Sequence, residues 1–318
     1  MKIVPLAADS LGVRSMATYI ECGETRILVD PGASLAQSRF NLPPADEEWE
    51  AFRRANDRIS AYAGRSAVLF ISHYHADHFR YDPSLYHDKN LWAKDPKRMI
   101  GARQAGRAAL LWKGLPGDCR ADSAEGRRLE TADAVLSASP PLPHGVDGTE
   151  LGHVVALTIT DRREGTRFVH ASDVQGPLSP VAAAYLIRER PNLLYLSGPP
   201  AYLEKTIGSA LIERGVESLL RIVEATGCRA ILDHHAIRAQ DYRERLGRLW
   251  ETGRVSTAAE FLGLADAPLE ARRGELWRAR RKAPAPMAMR GRELSGGRPS
   301  AIMGRRTRPV RAKEGTAE

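Results

Sequence analysis

Short apolar runs and longer amphipathic stretches alternate along the chain, and this alternation predicts an α/β protein. Strands are predicted at residues 2–6, 16–21, 25–29, 67–72, 134–137, 154–160, 167–171, 192–196 and 229–233, and helices at residues 47–63, 96–112, 180–190, 209–226 and 240–251. Several strands come first, and helices then alternate with strands. We therefore expect sheets that are covered by helices in one layered α/β body.

The pattern changes near the C-terminus. From about residue 283 the chain is rich in Pro, Gly, Ser and Arg and has almost no periodic apolar positions, which predicts disorder. Of the 47 basic and 39 acidic residues, 14 and 4 lie in residues 271–318, which leaves 33 and 35 in residues 1–270. We predict a folded domain at residues 1–270 and a basic, disordered tail at residues 271–318.

This charge distribution limits the partners of the protein. The net charge of +8 belongs to the tail, so the nearly neutral body argues against a basic nucleic-acid-binding face on the folded domain. The tail can contact nucleic acid weakly through charge alone. No run approaches the roughly 20 apolar residues of a membrane span, the N-terminus turns polar too early for a secretory signal, and the three cysteines are scattered. We predict a cytoplasmic protein without a membrane partner.

The strongest chemical signal follows the apolar run at residues 67–72, where the sequence reads HYHADH. In extended chain, side chains two residues apart point the same way, so His73 and His75 can reach one metal ion together. Asp77 and His78 come next, where the chain must turn, and can serve a second position. Neutral imidazole and carboxylate suit Zn²⁺, and four such side chains in six residues indicate a metal site.

Four residues cannot complete the shells of two metal ions, so further ligands must come from other parts of the chain. Three candidates lie at the ends of predicted strands. His144 lies ahead of the strand at residues 154–160, Asp173 follows the strand at residues 167–171, and His234 follows the strand at residues 229–233.

These motifs resemble a known family. HYHADH is similar to the HxHxDH signature of the metallo-β-lactamase superfamily, and the order Asp30, HYHADH, His144, Asp173, His234 resembles its five sequential motifs. The segments SLGVRSMA near the start and DHHAIR near the end resemble an uncharacterised predicted-hydrolase subgroup. The resemblance covers about residues 1–250. It implies a four-layer αββα sandwich with metals at one edge of the paired sheets.

The resemblance also implies a dinuclear site with Zn²⁺ as the favoured metal and Fe or Mn as alternatives. In that site, one metal ion would be held by His73, His75 and His144, the other by Asp77, His78 and His234, and Asp173 would bridge the two. Asp30 would orient a ligating imidazole, and a plain Asp-Pro-Gly turn is the alternative reading of that residue.

Two divalent metal ions about 3.5–4 Å apart activate hydroxide as a nucleophile and stabilise negative charge on the attacked group. Asp77 would be the catalytic carboxylate. We therefore predict a metal-dependent hydrolase that acts on a small-molecule or phosphodiester substrate. Two other activities remain open: a phosphodiesterase or nuclease acting on RNA or DNA, and an iron-dependent dioxygenase.

Three assignments within the site stay open at this stage. His153 competes with His144 as a ligand, and His235 competes with His234; the family spacing favours His144 and His234. His235 would then lie just outside the ligand set. Arg238 is predicted to bind a substrate phosphate or carboxylate, with a solvated charge at a helix start as the alternative.

Overall fold

The computed structural model describes residues 1–282, in which the strands form two mixed sheets. The strands are β1 (Lys2–Pro5), β2 (Thr18–Cys22), β3 (Thr25–Val29), β4 (Val68–Ile71), β5 (Asn90–Ala93), β6 (Arg120–Ser123), β7 (Arg128–Glu130), β8 (Ala134–Ala138), β9 (Leu142–Pro143), β10 (His153–Val154), β11 (Leu157–Asp161), β12 (Arg167–Ala171), β13 (Leu193–Ser197), β14 (Arg229–Asp233) and β15 (Val255–Ser256). The helices are α1 (Asp46–Ala63), α2 (Ala102–Lys113), α3 (Pro180–Glu189), α4 (Glu204–Ile207), α5 (Ser209–Thr226), α6 (Tyr242–Arg245), α7 (Gly247–Glu251), α8 (Ala258–Phe261) and α9 (Arg273–Lys282).

The first sheet joins β1 to β6 in chain order; β1, β2 and β3 are antiparallel, and β3 to β6 are parallel. The second sheet has the order β15-β14-β13-β12-β11-β8-β7, with β12 to β15 parallel and the remaining pairs antiparallel. Strands β9 and β10 form a separate pair. Parallel strands within a sheet end on the same side, so the turns that follow β3 and β4 lie together, as do those that follow β12 and β14.

The two sheets pack face to face. Ile27 and Phe70 of the first sheet share one buried cluster with Leu136, Phe168 and Tyr195 of the second. Side chains alternate between the two faces of a strand, so the neighbouring residues of the same strands face outward.

Helices cover both outer faces. Leu69 of β4 packs in one cluster with Ile59 of α1 and Leu111 of α2. Leu194 of β13 packs in another cluster with Leu219 of α5, and burying such a side chain contributes roughly 1.5–3 kcal/mol. The order of layers is helix, sheet, sheet, helix, which confirms the predicted four-layer αββα sandwich of the metallo-β-lactamase fold.

Two of the predicted helices differ clearly in the structure. Helix α2 begins at Ala102 and not at residue 96, because Asp95 Oδ1 accepts hydrogen bonds from the amides of Lys97 (2.8 Å) and Arg98 (2.9 Å) and holds the chain in a turn. The helix predicted at residues 240–251 is divided into α6 and α7, because Leu246 leaves the helical conformation at φ −112° and ψ 17°.

Helix α9 occupies the start of the segment that was predicted as tail. The guanidinium of Arg273 is fully buried and lies 2.7 Å and 2.8 Å from the carboxylate oxygens of Glu48 in α1. The folded chain therefore continues past residue 270, because the buried Glu48 carboxylate takes its counter-ion from α9. Residues 283–318, on which the rest of the tail prediction falls, lie outside the described residues.

Candidate metal centre

The HYHADH segment leaves β4 at a fixed angle because Ser72, the residue before it, is held on three sides. The amide of Ser72 donates to Asp30 Oδ1 (2.8 Å), its hydroxyl donates to Asp30 Oδ2 (2.8 Å), and its carbonyl accepts from the amide of Val155 (3.0 Å). Asp30 itself follows β3, the neighbour of β4. The parallel pair β3 and β4 thus aims the motif at the edge where the second sheet ends.

The first group of donors gathers around one carboxylate oxygen. Asp173 Oδ2 lies 3.1 Å from His73 Nε2, 3.0 Å from His144 Nε2 and 3.7 Å from His75 Nδ1. All of these side chains are buried except that of His75, which is 26% exposed. These four residues form one set that could hold a metal ion.

The second group consists of Asp77, His78 and His234. His234 Nε2 lies 3.4 Å from Asp77 Oδ2 and 3.5 Å from Asp173 Oδ1, and His78 Nε2 lies 3.6 Å from Asp173 Oδ2. Asp173 therefore contacts both groups, which is the position that a bridging ligand would need.

The structure places His144 in the first group, whereas His153 lies in β10 and belongs to none of the donor groups found in residues 1–282. His235, which was predicted to lie just outside the ligand set, is within donor distance. Its Nε2 lies 3.5 Å from Asp173 Oδ1, and it forms a third group with Asp173 and His234.

Four of the donor atoms fit a divalent cation because they lack hydrogen-bond partners in the protein. His73 Nε2, His78 Nε2, His235 Nε2 and Asp173 Oδ1 are buried and have no hydrogen-bond partner within residues 1–282. Leaving a buried polar atom unpaired costs about 1–3 kcal/mol. Imidazole nitrogen and carboxylate oxygen are ligands of Zn²⁺ and related divalent ions, so divalent cations bound in these groups would satisfy all four atoms.

The other nitrogen of each of three imidazoles does have a partner. His73 Nδ1 lies 2.9 Å from the Ser72 hydroxyl, and His78 Nδ1 lies 3.0 Å from Asp30 Oδ2. His234 Nδ1 lies 2.6 Å from Asp9 Oδ2. Such contacts fix the tautomer and the ring orientation of a metal-binding histidine, so Nε2 is presented to the centre. Asp30 lies where its predicted orienting role requires.

Asp9 was not predicted from the sequence. It is buried, and its second oxygen accepts a hydrogen bond from Arg238 Nε at 2.7 Å. Asp9 adjoins the SLGVRSMA segment, which is the one sequence signal that could have drawn attention to it. Only the fold reveals its partner, because 225 positions separate Asp9 from His234.

Arg238 is 4% exposed, and its contacts are with protein groups. Besides Asp9, its guanidinium lies 3.1 Å from the ring of His234 and 3.5 Å from Asp77 Oδ2. Substrate binding by Arg238 stays a prediction, and these contacts favour a positioning role for His234 and Asp77.

Three residues of the centre have left-handed backbone conformations. The φ angles are 48° at Asp30, 52° at Asp173 and 65° at His235. Residues other than glycine adopt such conformations at a cost of order 1–3 kcal/mol, and the cost persists where surrounding structure holds the backbone in place. Each of these residues lies one or two positions after the end of a strand. The strained turns therefore direct the side chains toward the centre.

Burial and neighbouring charges set the protonation of the donors. Burial lowers the pKa of His73 well below its ordinary value, and burial together with the Arg238 guanidinium lowers the pKa of His235 to about 3. Asp173 has a pKa well below the ordinary value, because the surrounding imidazoles outweigh the effect of its burial. Neutral imidazole and ionised carboxylate are the forms that bind metal ions.

His78 differs from the other imidazoles. Burial lowers its pKa, but the carboxylates around it, Asp173 foremost, outweigh that effect and raise the pKa to about 9. A cation that binds at His78 must therefore displace a proton, which makes its affinity dependent on pH.

Comparison with curated proteins identifies the family. A UPF0282 protein of Methanopyrus kandleri is 42% identical over 292 residues, which cover 87% of this chain and 99% of the relative. A UPF0282 protein of Thermococcus gammatolerans is 39% identical over 295 residues, which cover 88% of this chain and 96% of the relative. One of Methanocaldococcus jannaschii is 38% identical over 290 residues, which cover 87% of this chain and 96% of the relative. The chain belongs to the UPF0282 family. No family model matches it.

Several solved structures resemble the UPF0282 chain at low sequence identity. The short form of human tRNase Z is 15% identical with a TM-score of 0.44, and the alignment covers 74% of this chain and 92% of that one. Unliganded yeast PDE1 is 13% identical with a TM-score of 0.46 (80% and 96%). Likenesses at this level carry no information on the activity or the substrate of this chain.

Proposed function

We propose that this UPF0282 protein is a hydrolase whose centre holds two divalent metal ions, with Zn²⁺ favoured. The observation that supports the proposal is the set of four buried, unpartnered donor atoms on His73, His78, His235 and Asp173. They come from the ends of three different strands, and no hydrogen bond within the described residues accounts for their burial.

We assign the ligands to the two sets expected from the motif order, and the donor groups support this assignment with one addition. One ion would be held by His73, His75 and His144, the other by Asp77, His78 and His234, with Asp173 between them and His235 as a further donor. Divalent cations bound at such a site lower the pKa of water toward neutrality and stabilise negative charge on the group under attack.

Asp77 is the proposed catalytic carboxylate. It is 14% exposed, so one side of the carboxylate can meet a water molecule or a substrate. Its pKa lies below the ordinary value, because His78, His234 and Arg238 outweigh the effect of burial. Asp77 therefore stays ionised at neutral pH and can accept a hydrogen bond from the attacking water and orient it.

In our proposal, Asp9 and Arg238 position the side chains that carry out this chemistry. Asp9 holds His234 by its Nδ1, and Arg238 spans the gap between Asp9 and Asp77. Together they keep the His234 ring and the Asp77 carboxylate in fixed orientations, which is what preorganised catalysis requires.

The nature of the substrate, small molecule or phosphodiester, and the cytoplasmic location remain predictions. The described helices are all too short or too polar to cross a bilayer. The basic tail, with its predicted weak contact to nucleic acid, lies largely outside residues 1–282.

The proposal is tested with His75→Ala and a matched control, His87→Ala. His87 is 59% exposed, lies outside the donor groups and pairs with Asp118, so its loss should leave the centre intact. Metal content is measured by elemental analysis, and turnover is measured on chromogenic ester, thioester, lactam and phosphodiester substrates. We expect His75→Ala to lose metal and at least about 100-fold in turnover on any substrate that the wild type hydrolyses.

Two results would contradict the proposal. One is a His75→Ala protein that keeps wild-type metal content and turnover. The other is a wild-type protein that carries a single iron and consumes oxygen with no hydrolysis, because that outcome would support the dioxygenase alternative.

A further inference from the structure

A groove of about 940 Å³ opens beside His75, the most exposed imidazole of the candidate centre. This volume is in the range of small-molecule binding sites. The charged or titratable residues of its lining are His75, Arg103, Arg107, Glu150 and His153. The groove therefore joins the candidate centre to a surface on which basic side chains outnumber acidic ones.

The two arginines stand on one face of α2. Arg103 and Arg107 are four residues apart, so their side chains are neighbours on the helix surface. Neither forms an ion pair within residues 1–282; Arg107 Nη1 donates one hydrogen bond, to the carbonyl of Tyr74 at 3.3 Å, and Arg103 is exposed. Both guanidinium groups can thus accept a new anionic partner without breaking an existing ion pair.

The start of α2 adds backbone donors to the same groove. Gly101 is the N-cap, it offers no capping side chain, and Gly101, Ala102 and Gln104 line the groove. The first amides of a helix have no partner within the helix, and the helix dipole favours an anion at this end. The Gln104 side chain is already used, since it accepts from the amide of Tyr74 (2.8 Å) and donates to the carbonyl of Leu151 (2.7 Å).

The backbone on both sides of the groove is fixed. Gly152 has φ +84°, and a side-chain carbon there would lie 2.4 Å from the amide nitrogen of Gly101, so the two segments touch backbone to backbone. The amide of His153 also donates to the carbonyl of Met99 at 3.0 Å. Met99 and Leu151, which line the groove, are 50% and 44% exposed, so apolar surface lies beside the arginines.

We propose that this groove binds a phosphate-bearing small molecule and that Arg103 and Arg107 hold its phosphate. Guanidinium groups match phosphate oxygens in a bidentate geometry, and Met99 and Leu151 would contact an apolar or aromatic part of the same molecule. The nearly neutral body offers no extended basic track for a polymer. Binding in the groove does not depend on the proposed function; only the identification of the bound molecule as the substrate of the metal centre rests on it.

The test is calorimetric titration of the purified full-length protein with phenylphosphonate, an aromatic phosphate analogue that is not hydrolysed, and with phenol as its uncharged counterpart. We expect phenylphosphonate to bind and phenol to bind at least tenfold more weakly. Arg103→Gln and Arg107→Gln should each weaken phenylphosphonate binding about tenfold. Arg53→Gln, an exposed arginine of α1 outside the groove, should leave binding unchanged. Arg103 is exposed, so its variant should keep the wild-type thermal midpoint.

Two further arms separate this groove from the metal centre and from nucleic-acid binding. In His75→Ala, phenylphosphonate binding should persist; binding that disappears there but survives in both arginine variants would place the anion on the metals and overturn the inference. An RNA oligomer that binds tenfold more tightly than phenylphosphonate, and weakens steeply with salt, would overturn the small-molecule assignment. Titration does not need turnover, so a lack of hydrolysis would refute the proposed function and leave this result intact.

Discussion

Three imidazoles of the centre, those of His73, His78 and His234, are each held from behind by a second side chain. Ser72, Asp30 and Asp9 each contact the far nitrogen of one imidazole, and each is itself buried. Asp30 has two roles. It contacts His78, and it also accepts hydrogen bonds from the amide and the hydroxyl of Ser72 at the start of the motif. A change at Asp30 therefore affects ring orientation and the path of the HYHADH segment together.

We predict that Asp30→Asn lowers metal affinity about 10- to 100-fold, because His78 loses its charged partner while the donor atoms themselves remain. Competition with a coloured chelator measures this affinity. Asp57→Asn, at an exposed position of α1, is the matched control. An Asp30→Asn protein that binds metal as tightly as the control would show that Asp30 only forms a turn.

We also predict that Asp9 makes the stability of the protein depend on pH. Although burial raises the pKa of Asp9, Arg238 and His234 outweigh it and hold the pKa well below 3.8. A carboxylate with a lowered pKa in the folded state stabilises the protein above its unfolded pKa, and that stability is lost as the pH falls toward the folded pKa. Asp9→Asn leaves Arg238 buried without its partner, so it should lower the free energy of unfolding by about 3–5 kcal/mol at pH 7.

The difference between the wild type and Asp9→Asn should then shrink as the pH falls below 3.8. Urea unfolding at pH 7 and at pH 3 measures it. A difference that is equal at both pH values, or larger at pH 3, would contradict the assigned charge state of Asp9.

Residues of the centre were predictable from the sequence where they belong to a motif or follow a predicted strand. His73, His75, Asp77 and His78 form one compact motif, whereas Asp9 is a lone acidic residue whose role depends on a partner 225 positions away. Helical spacing alone likewise cannot show that Arg103 and Arg107 line a groove. Such roles arise from tertiary contacts.

At the scale of secondary structure, several elements with a clear apolar pattern were predictable, and two polar edge strands were not. Strand β12 (Arg167–Ala171), strand β14 (Arg229–Asp233) and helix α5 (Ser209–Thr226) have the bounds that their apolar patterns predict. Strands β6 and β7 have the sequences RADS and RLE, which show no apolar pattern. They form because they pair with neighbouring strands in the sheets.

Helix α9 was missed for a related reason, since its stabilising contact is an ion pair and not an apolar stripe. Truncation after Glu270 should lower the free energy of unfolding by about 3–5 kcal/mol, because it leaves the Glu48 carboxylate buried without Arg273. Truncation after Lys282 keeps every contact that the structure describes and should match the full-length protein. Urea unfolding of both proteins measures the effect, and equal stability of the two would show that α9 does not hold Glu48.

At the scale of the whole molecule, the four layers bring together segments that are far apart in sequence. The motif order in the chain predicted which segments should meet, and the sandwich explains how they do, because the carboxyl ends of β3, β4, β12 and β14 lie at one edge. The groove beside His75 adds an entrance to that edge. The proposed hydrolase activity depends on two cations occupying the donor sets on either side of Asp173.

Elemental analysis of the purified protein tests this claim most directly. After dialysis against zinc and removal of the free ion, the wild type should retain two metal ions per chain. The Asp173→Asn protein should retain fewer than two metal ions per chain. Asparagine tolerates the left-handed backbone of this position, so the substitution adds no strain. A wild-type protein that retains no metal, or an Asp173→Asn protein that holds two ions as firmly as the wild type, would contradict the account.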